Sequence, residues 1–540
     1  SNNDGKITDA DRVVEEDENE DGFLFWVNDD DNSSSNADDH KAYTVEGGDL
    51  SLNQSNSRMD EDINGIYDLI DFAPLKIHVE PGVISSLQSS GAYLTLESSQ
   101  LRFFESSKEL VNNGEMGEDS YLQSSAKANE QLTKGLFHSG GHLHGFIQIE
   151  WSDFDAEGNI WLIFESSHPT PPAEDIIRLT LYNSQDVNLG ILDEVKLDIR
   201  HSRDFFETRS IRGSQNTATY DTERLEDSDP LRFVSVDDFG NFPTLEYGLQ
   251  IQEDSDKVLI FVHGYANNGD QADATFQNFF KKLYRLGYRD NLIAYKWEGD
   301  QFSPIFDPNV ENAFESSRGL MSLIDNLNSS GKTVSIAAHS LGNLVAVDAL
   351  RRLALTQPGQ TQVEYVFHIE AAIWDNLYNE RPAPDGTDYS NREVEQRATW
   401  SHWIADVPST VGGTIINSYN NLDSALGFMI LNDITMPTRR RWFGPDGNFS
   451  NYEDAALAED WRTPNRLAYE IPRKPDMTSS DAAIPLGTVS FGQIHFSNKQ
   501  SVNAGNLNWD EESHSNYRDK PIQEMWEWYN VVLIENLVSN

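Results

Sequence analysis

Residues 333–352 constrain the fold more than any other stretch. Thr333-Val334-Ser335-Ile336-Ala337-Ala338-His339 is β-branched and apolar, the pattern of a strand buried in a parallel sheet. The chain then turns at Ser340-Leu341-Gly342 and runs on as Leu344-Val345-Ala346-Val347-Asp348-Ala349-Leu350-Arg351-Arg352, an Ala/Leu/Val-rich helix. A serine on so tight a strand-to-helix turn leaves room only for small residues two places before and after it. Ala338 and Gly342 fill those places, so the pattern is that of a nucleophile elbow with Ala for the first Gly. Ala is the next smallest residue and keeps the steric logic. A plain β-α turn with a surface serine is the competing reading. His339 adjoins Ser340, but neighbouring side chains diverge, and it reads as structural.

The flanking segments repeat the strand–helix alternation. Val258–Val262 is a second buried strand, ending in His263-Gly264-Tyr265 and leading into a helix over 271–286. Next come a strand at 292–297, a helix at 312–327, strands at 363–369 and 414–418, and a last helix at 521–537 opened by Pro521. Alternation at this period predicts an α/β fold, a doubly wound and mostly parallel sheet over 256–540. Segments 376–411 and 428–487 break the order and read as insertions capping the sheet's working edge.

A serine hydroxyl is a poor nucleophile until a base takes its proton, and a third group must orient that base. On such a sheet the chain order is Ser, acid, His. Asp423 follows the strand where the acid belongs; Asp375, after the preceding strand, is its rival, and a helix N-cap is the plain alternative for Asp423. His514 lies just before the last helix, whereas His495 sits in an alternating, strand-like pattern. With His263-Gly264-Tyr265 and Ala338-His339-Ser340-Leu341-Gly342, these residues resemble the α/β-hydrolase superfamily, closest to its lipase/esterase-like bacterial members. The resemblance covers about residues 255–540. It implies an acyl-enzyme mechanism in which Ser340 attacks, His514 accepts the proton and Asp423 holds the imidazole. It also implies an oxyanion hole from the backbone N–H groups of Tyr265 and Leu341, with no cofactor in the chemical step.

The rest of the chain differs in texture. Residues 1–72 are acidic and Asn/Ser-rich, with Lys6, Arg12, Lys41 and Arg58 as the only Lys or Arg. Three segments have calcium-loop spacing, with oxygen ligands at alternate places around a Gly turn. Their candidate ligands are Asn2, Asp4 and Asp11; Asp17, Asn19 and Asp21; and Asp60, Asp62, Asn64 and Asp71. A solvated acidic tail is the plain alternative. These segments resemble the Asp-rich calcium repeats of large bacterial surface proteins, implying structural Ca2+ in this region. The first loop's opening ligand would precede Ser1, so the sequence reads as a piece of a longer chain. Residues 73–205 alternate in short runs broken by Gly, Ser and Pro, predicting an all-β, sandwich-like domain. Within it, His142 and His144 lack a third ligand and read as loop residues. Residues 206–255 are polar and read as a connector, so a chain starting near residue 206 is expected to act alone if that connector folds.

With 89 acidic against 40 basic residues, the net charge is -49, which disfavours nucleic acid and anionic membranes. No apolar run is long enough for a membrane span. The absence of cysteine excludes disulfides and thiolate metal sites. The leading reading is an extracellular or cell-surface, secreted bacterial serine hydrolase acting on an ester. A peptidase or amidase using the same three residues stands beside it. So does a calcium-binding surface or filament protein whose hydrolase domain is a relic, with partners in a larger assembly or in copies of itself.

Overall fold

The computed structural model describes residues 23–26, 66, 68–98, 101–111, 120–137, 147–166, 175–200, 202–211, 243–247, 255–267, 269–299, 307–373, 407–420, 423, 426, 440–443, 449–450, 467–470, 486, 490, 498–507 and 513–538. The N-terminal strands are β1 (Phe23–Trp26), β2 (Ala73–His78), β3 (Tyr93–Glu97), β4 (Leu101–Glu105), β5 (Ile147–Ile149), β6 (Asn159–Ser166), β7 (Asp175–Tyr182) and β8 (Asn188–Arg200). They form a five-stranded sheet, β1-β8-β7-β3-β5, and a three-stranded sheet, β2-β6-β4. Both sheets contribute to one core, including Leu75, Phe103 and Phe164 from the smaller and Leu94, Ile177 and Leu197 from the larger. The pairing is antiparallel except at β1, which lies parallel to β8 with Phe23 opposite Leu197. Thus the acidic region expected at 1–72 contributes Phe23, Phe25 and Trp26 to buried structure.

The main sheet takes β9 (Glu207–Ser210), β10 (Thr244–Tyr247), β11 (Lys257–Val262), β12 (Asn291–Lys296), β13 (Thr333–His339), β14 (Val366–Ile369) and β15 (Ile415–Tyr419). β16 (Arg440–Phe443), β17 (Phe449–Ser450) and β18 (Leu467–Glu470) make a small antiparallel sheet inside the second expected insertion. The main sheet ends with β19 (Lys499–Asn503). Its order is β10-β9-β12-β11-β13-β14-β15-β19, parallel throughout except at β10. The expected connector therefore supplies β9 and β10, so the sheet begins at Glu207 and not at 256 as the apolar pattern indicates.

Successive side chains of a strand face opposite sides, and β11 shows how that builds two cores. Val258, Ile260 and Val262 pack against the helices Asp307–Ser329 and Gly342–Thr356. Leu259 and Phe261 face the helix Gly269–Arg285 and the C-terminal helix Ile522–Tyr529, through Phe276, Phe279, Met525 and Trp528. From β11 the chain goes to β12 on one side and then to β13 on the other. The strand order therefore reverses between β11 and β13, and the crevice outside their carboxyl ends is where such a sheet takes its ligands. No helix among the described residues is long and apolar enough to cross a membrane.

Candidate active site

Both sequence motifs end at that reversal, since Val262 of β11 pairs with Ala338 of β13. Packing explains their small residues. A β-carbon at Gly342 would lie 2.4 Å from the His263 carbonyl oxygen, so only glycine lets the helix Gly342–Thr356 press on the end of β11. A β-carbon at Gly264 would meet His339 Nδ1 at 2.7 Å and Ser340 Cβ at 2.9 Å. Ser340 sits between these contacts with φ +51°, a conformation that costs a non-glycine residue energy and is retained where surrounding bonds impose it. Its N–H donates to Ile369 O at 3.0 Å, and its carbonyl accepts from Ala372 N at 3.1 Å and Asn343 Nδ2 at 2.9 Å. Of the four non-glycine residues with positive φ among those described, three are Ala266, Ser340 and Glu370, each just beyond a strand of this edge.

His514 precedes the short helix Asn516–Asp519, and its Nδ1 lies 2.5 Å from Asp423 Oδ2. Asp423 is buried, and its other oxygen accepts the Leu426 N–H at 2.9 Å, so it also caps the following turn as the plain alternative expected. Asn420 Nδ2 donates to Ser513 O at 3.2 Å and fixes the histidine loop from the β15 side. The structure thus brings Asp423 and His514 together. His514 stands over the elbow, its ring centroid 4.8 Å from that of His339, the residue before Ser340. No hydrogen bond joins Ser340 Oγ to His514 among the described residues; catalytic contacts in ligand-free sites commonly tighten only on substrate binding. Of the two candidate oxyanion donors, Leu341 follows Ser340 and precedes the helix Gly342–Thr356, and Tyr265 follows Gly264 in the turn after β11. Asp375 and His495, the rival acid and base, lie outside the described residues.

Three neighbours make contacts that the sequence did not specify, although His339 is structural as expected. His339 Nε2 lies 2.8 Å from the His514 carbonyl, so its ring braces the histidine loop rather than pointing away. Burial, with His514 nearby, holds its pKa well below the usual value and keeps it neutral. His263 Nε2 accepts the Trp297 N–H at 3.1 Å while Trp297 Nε1 donates to the His263 carbonyl at 2.8 Å, bracing the loop before Tyr265. Glu370, fully buried at the end of β14, lies against Asp423. His263 and His339 belong to the two motifs, but a motif does not say what its histidine ring contacts, and Glu370 after β14 belongs to no motif at all.

Among the described residues no group of three or more His, Cys, Asp or Glu could hold a metal. One expected calcium ligand needs correction: Asp71 is buried, accepts from the Trp26 indole and pairs with Lys281 Nζ at 2.8 Å. An internal cation already neutralises it. Asn2, Asp4, Asp11, Asp17, Asn19, Asp21, Asp60, Asp62 and Asn64 lie outside the described residues.

A mostly parallel, doubly wound sheet with a serine elbow at its reversal point is the arrangement of an α/β-hydrolase domain. Residues 246–373 match a family described as "Alpha/beta hydrolase of unknown function (DUF900)", and this match supports placing the domain in the α/β-hydrolase superfamily. No curated protein matches the chain. Among solved structures, a monoclinic form of a Pyrobaculum calidifontis esterase is 13% identical, covering 37% of this chain and 75% of its own, with a TM-score of 0.18. A second, titled as a hyperthermophilic esterase from the same archaeon, is 12% identical over 38% and 75%, also at 0.18. At that score neither likeness adds to the assignment.

Proposed function

We propose that the chain is a serine ester hydrolase working through Ser340, His514 and Asp423. The observation that carries this reading is the hydrogen-bonded His514–Asp423 pair standing over a serine held at positive φ on a strand-to-helix turn. With Nδ1 committed to Asp423, His514 keeps Nε2 for the serine proton. Ser340 Oγ attacks the ester carbonyl as that proton moves to Nε2, and the carbonyl oxygen gains charge. Backbone N–H groups of Tyr265 and Leu341, with the helix N-terminus behind Leu341, stabilise the oxyanion, each such donor by about 3–4 kcal/mol. His514 then protonates the leaving alcohol, and water attacks the acyl-enzyme through the same base. Asp423 stabilises the imidazolium in both halves. We place the protein outside the cell, in keeping with its acidic, cysteine-free composition.

The test is labelling with a fluorophosphonate and mapping of the modified residue, beside hydrolysis of short p-nitrophenyl esters. Ser340 is expected to carry the label, and Ser340→Ala to lose roughly 10^4-fold or more in turnover with its thermal transition nearly unchanged. Ester hydrolysis undiminished in that variant would end the proposal.

A further inference from the structure

Glu370 occupies a position that sheet geometry alone does not ask of a glutamate. Its backbone has φ +43°, pinned by its N–H donating to Ser418 O at 3.1 Å across the β14–β15 pair. Its side chain is fully buried. One oxygen, Oε2, accepts the Asn420 N–H at 3.1 Å. The other, Oε1, has no hydrogen-bond donor, and the Asp423 carboxyl lies against the side chain. Asn420 links the two acids and the histidine loop. Its N–H goes to Glu370, its carbonyl accepts the Asp423 N–H at 3.2 Å, and its side chain holds Ser513 O.

Two buried carboxylates in contact cannot both be ionised without a large cost. Asp423 has the stronger claim to the charge, because it accepts hydrogen bonds from His514 and from the Leu426 N–H. Glu370 has one backbone donor, and among the described residues Asp423 is the charged group that acts on it. A proton on Oε1 removes the clash and turns an orphaned acceptor into a hydrogen-bond donor. We propose that Glu370 is a positioning residue: as a neutral acid it donates from Oε1 to the Asp423 carboxylate and holds that carboxylate against His514 Nδ1. Burial first, and then the Asp423 charge, push the Glu370 pKa well above the usual carboxylate range, which agrees with this role. A neutral donor holds the acid in place without withdrawing the negative charge that the imidazolium needs. It also fixes two strand ends relative to the histidine loop.

This inference rests on the serine-hydrolase reading, so the experiment separates the two. Fluorophosphonate labelling of Ser340 in the wild-type chain tests that reading by itself. Infrared difference spectra of wild type against Glu370→Gln at pH 8, where exposed carboxyls are ionised, test protonation without needing turnover. A carboxylic-acid C=O band lost in the variant is expected; spectra with no such band overturn the proposal. In ester hydrolysis, Glu370→Leu is expected to lower kcat roughly 10- to 100-fold with KM little changed, as for a misplaced catalytic group. Glu370→Gln, whose amide still donates, is expected to recover most of that loss and to leave the midpoint of the acid limb of the pH–rate profile in place. A kcat unchanged in Glu370→Leu, or a Gln variant as impaired as Leu, overturns the proposal. So does an acid limb moved to lower pH by Gln, because it would mean that a negative charge had been removed. If the Leu variant does not fold, the infrared and Gln measurements still decide.

Discussion

Burial keeps His368 uncharged in the folded chain, and that ties stability to pH at the level of one residue. It faces Asn343 Oδ1 through Nδ1 at 2.7 Å beneath the elbow helix, and burial lowers its pKa from 6.5 to about 3. As pH falls below 6.5 the unfolded chain takes a proton that the folded chain refuses. The stability held above that pH is therefore lost progressively down to about 3, on the order of 5 kcal/mol in all. Between pH 7.5 and 5.0, above the sequence pI of about 4.4, His368 should account for roughly 2 kcal/mol of the decline. Urea unfolding at the two pH values checks this: His368→Gln is expected to decline less steeply by that amount, and parallel declines would refute it. Glu370 works in the opposite sense. Its raised pKa means that the folded chain holds a proton which the unfolded chain releases, so its contribution falls as pH rises from 4.5 through the folded value.

At the scale of elements, two short segments from the acidic N-terminal stretch strap the helix Gly269–Arg285. Trp26, at the end of β1, stacks under the Arg285 guanidinium, 4.5 Å from ring centroid to Cζ. Arg285 Nε donates to Ile70 O at 2.8 Å, and the next residue, Asp71, receives Lys281 with both partners buried. Asp71→Asn leaves that ammonium buried without its counter-charge, so a loss of about 3–5 kcal/mol is expected in urea unfolding. Asp71→Leu with Lys281→Met should be much less costly than Asp71→Asn. A loss under about 1 kcal/mol for the single variant would show that the pair is not holding the strap. Such elements were hard to read for identifiable reasons. β1 is four apolar residues in a run of Asp, Asn and Ser, too short to give a period. β9 and β19 read Glu-Thr-Arg-Ser and Lys-Gln-Ser-Val-Asn, polar strands near or at the rims of a sheet whose central strands announce themselves. The buried strands β11 and β13 and the glycines at 264 and 342 were legible, because parallel pairing and a tight turn demand apolar runs and missing side chains. The Asp423–His514 contact spans 91 residues, and chain order alone pointed to it. Glu370 answers a need that exists only once β14 and β15 are side by side.

For the molecule as a whole, the straps change what calcium would do. Two of the expected loops lead directly into them: Asp17, Asn19 and Asp21 precede β1, and Asp60, Asp62 and Asn64 precede the turn Asp68–Asp71. Calcium held by those loops would favour the docked straps, and the docked straps cover charged groups of the Gly269–Arg285 helix. Its binding free energy would then reach the hydrolase sheet rather than stay in the N-terminal region, about 3 kcal/mol at a hundred times the dissociation constant. The same contacts argue against independence of a chain starting at residue 206, which would lack Trp26 and Asp71 and leave Lys281 without its carboxylate. Scanning calorimetry of the full chain with added calcium and with EDTA is the measurement. The transition that reports the hydrolase domain is expected to move down on chelation, and Asp71→Asn, with its strap already weakened, to respond less. The chain from residue 206 should melt below the full chain and ignore calcium. An EDTA trace superimposed on the calcium trace would remove calcium from the molecule's stability. A shift confined to a separate, earlier transition would instead show that the straps do not couple the two regions.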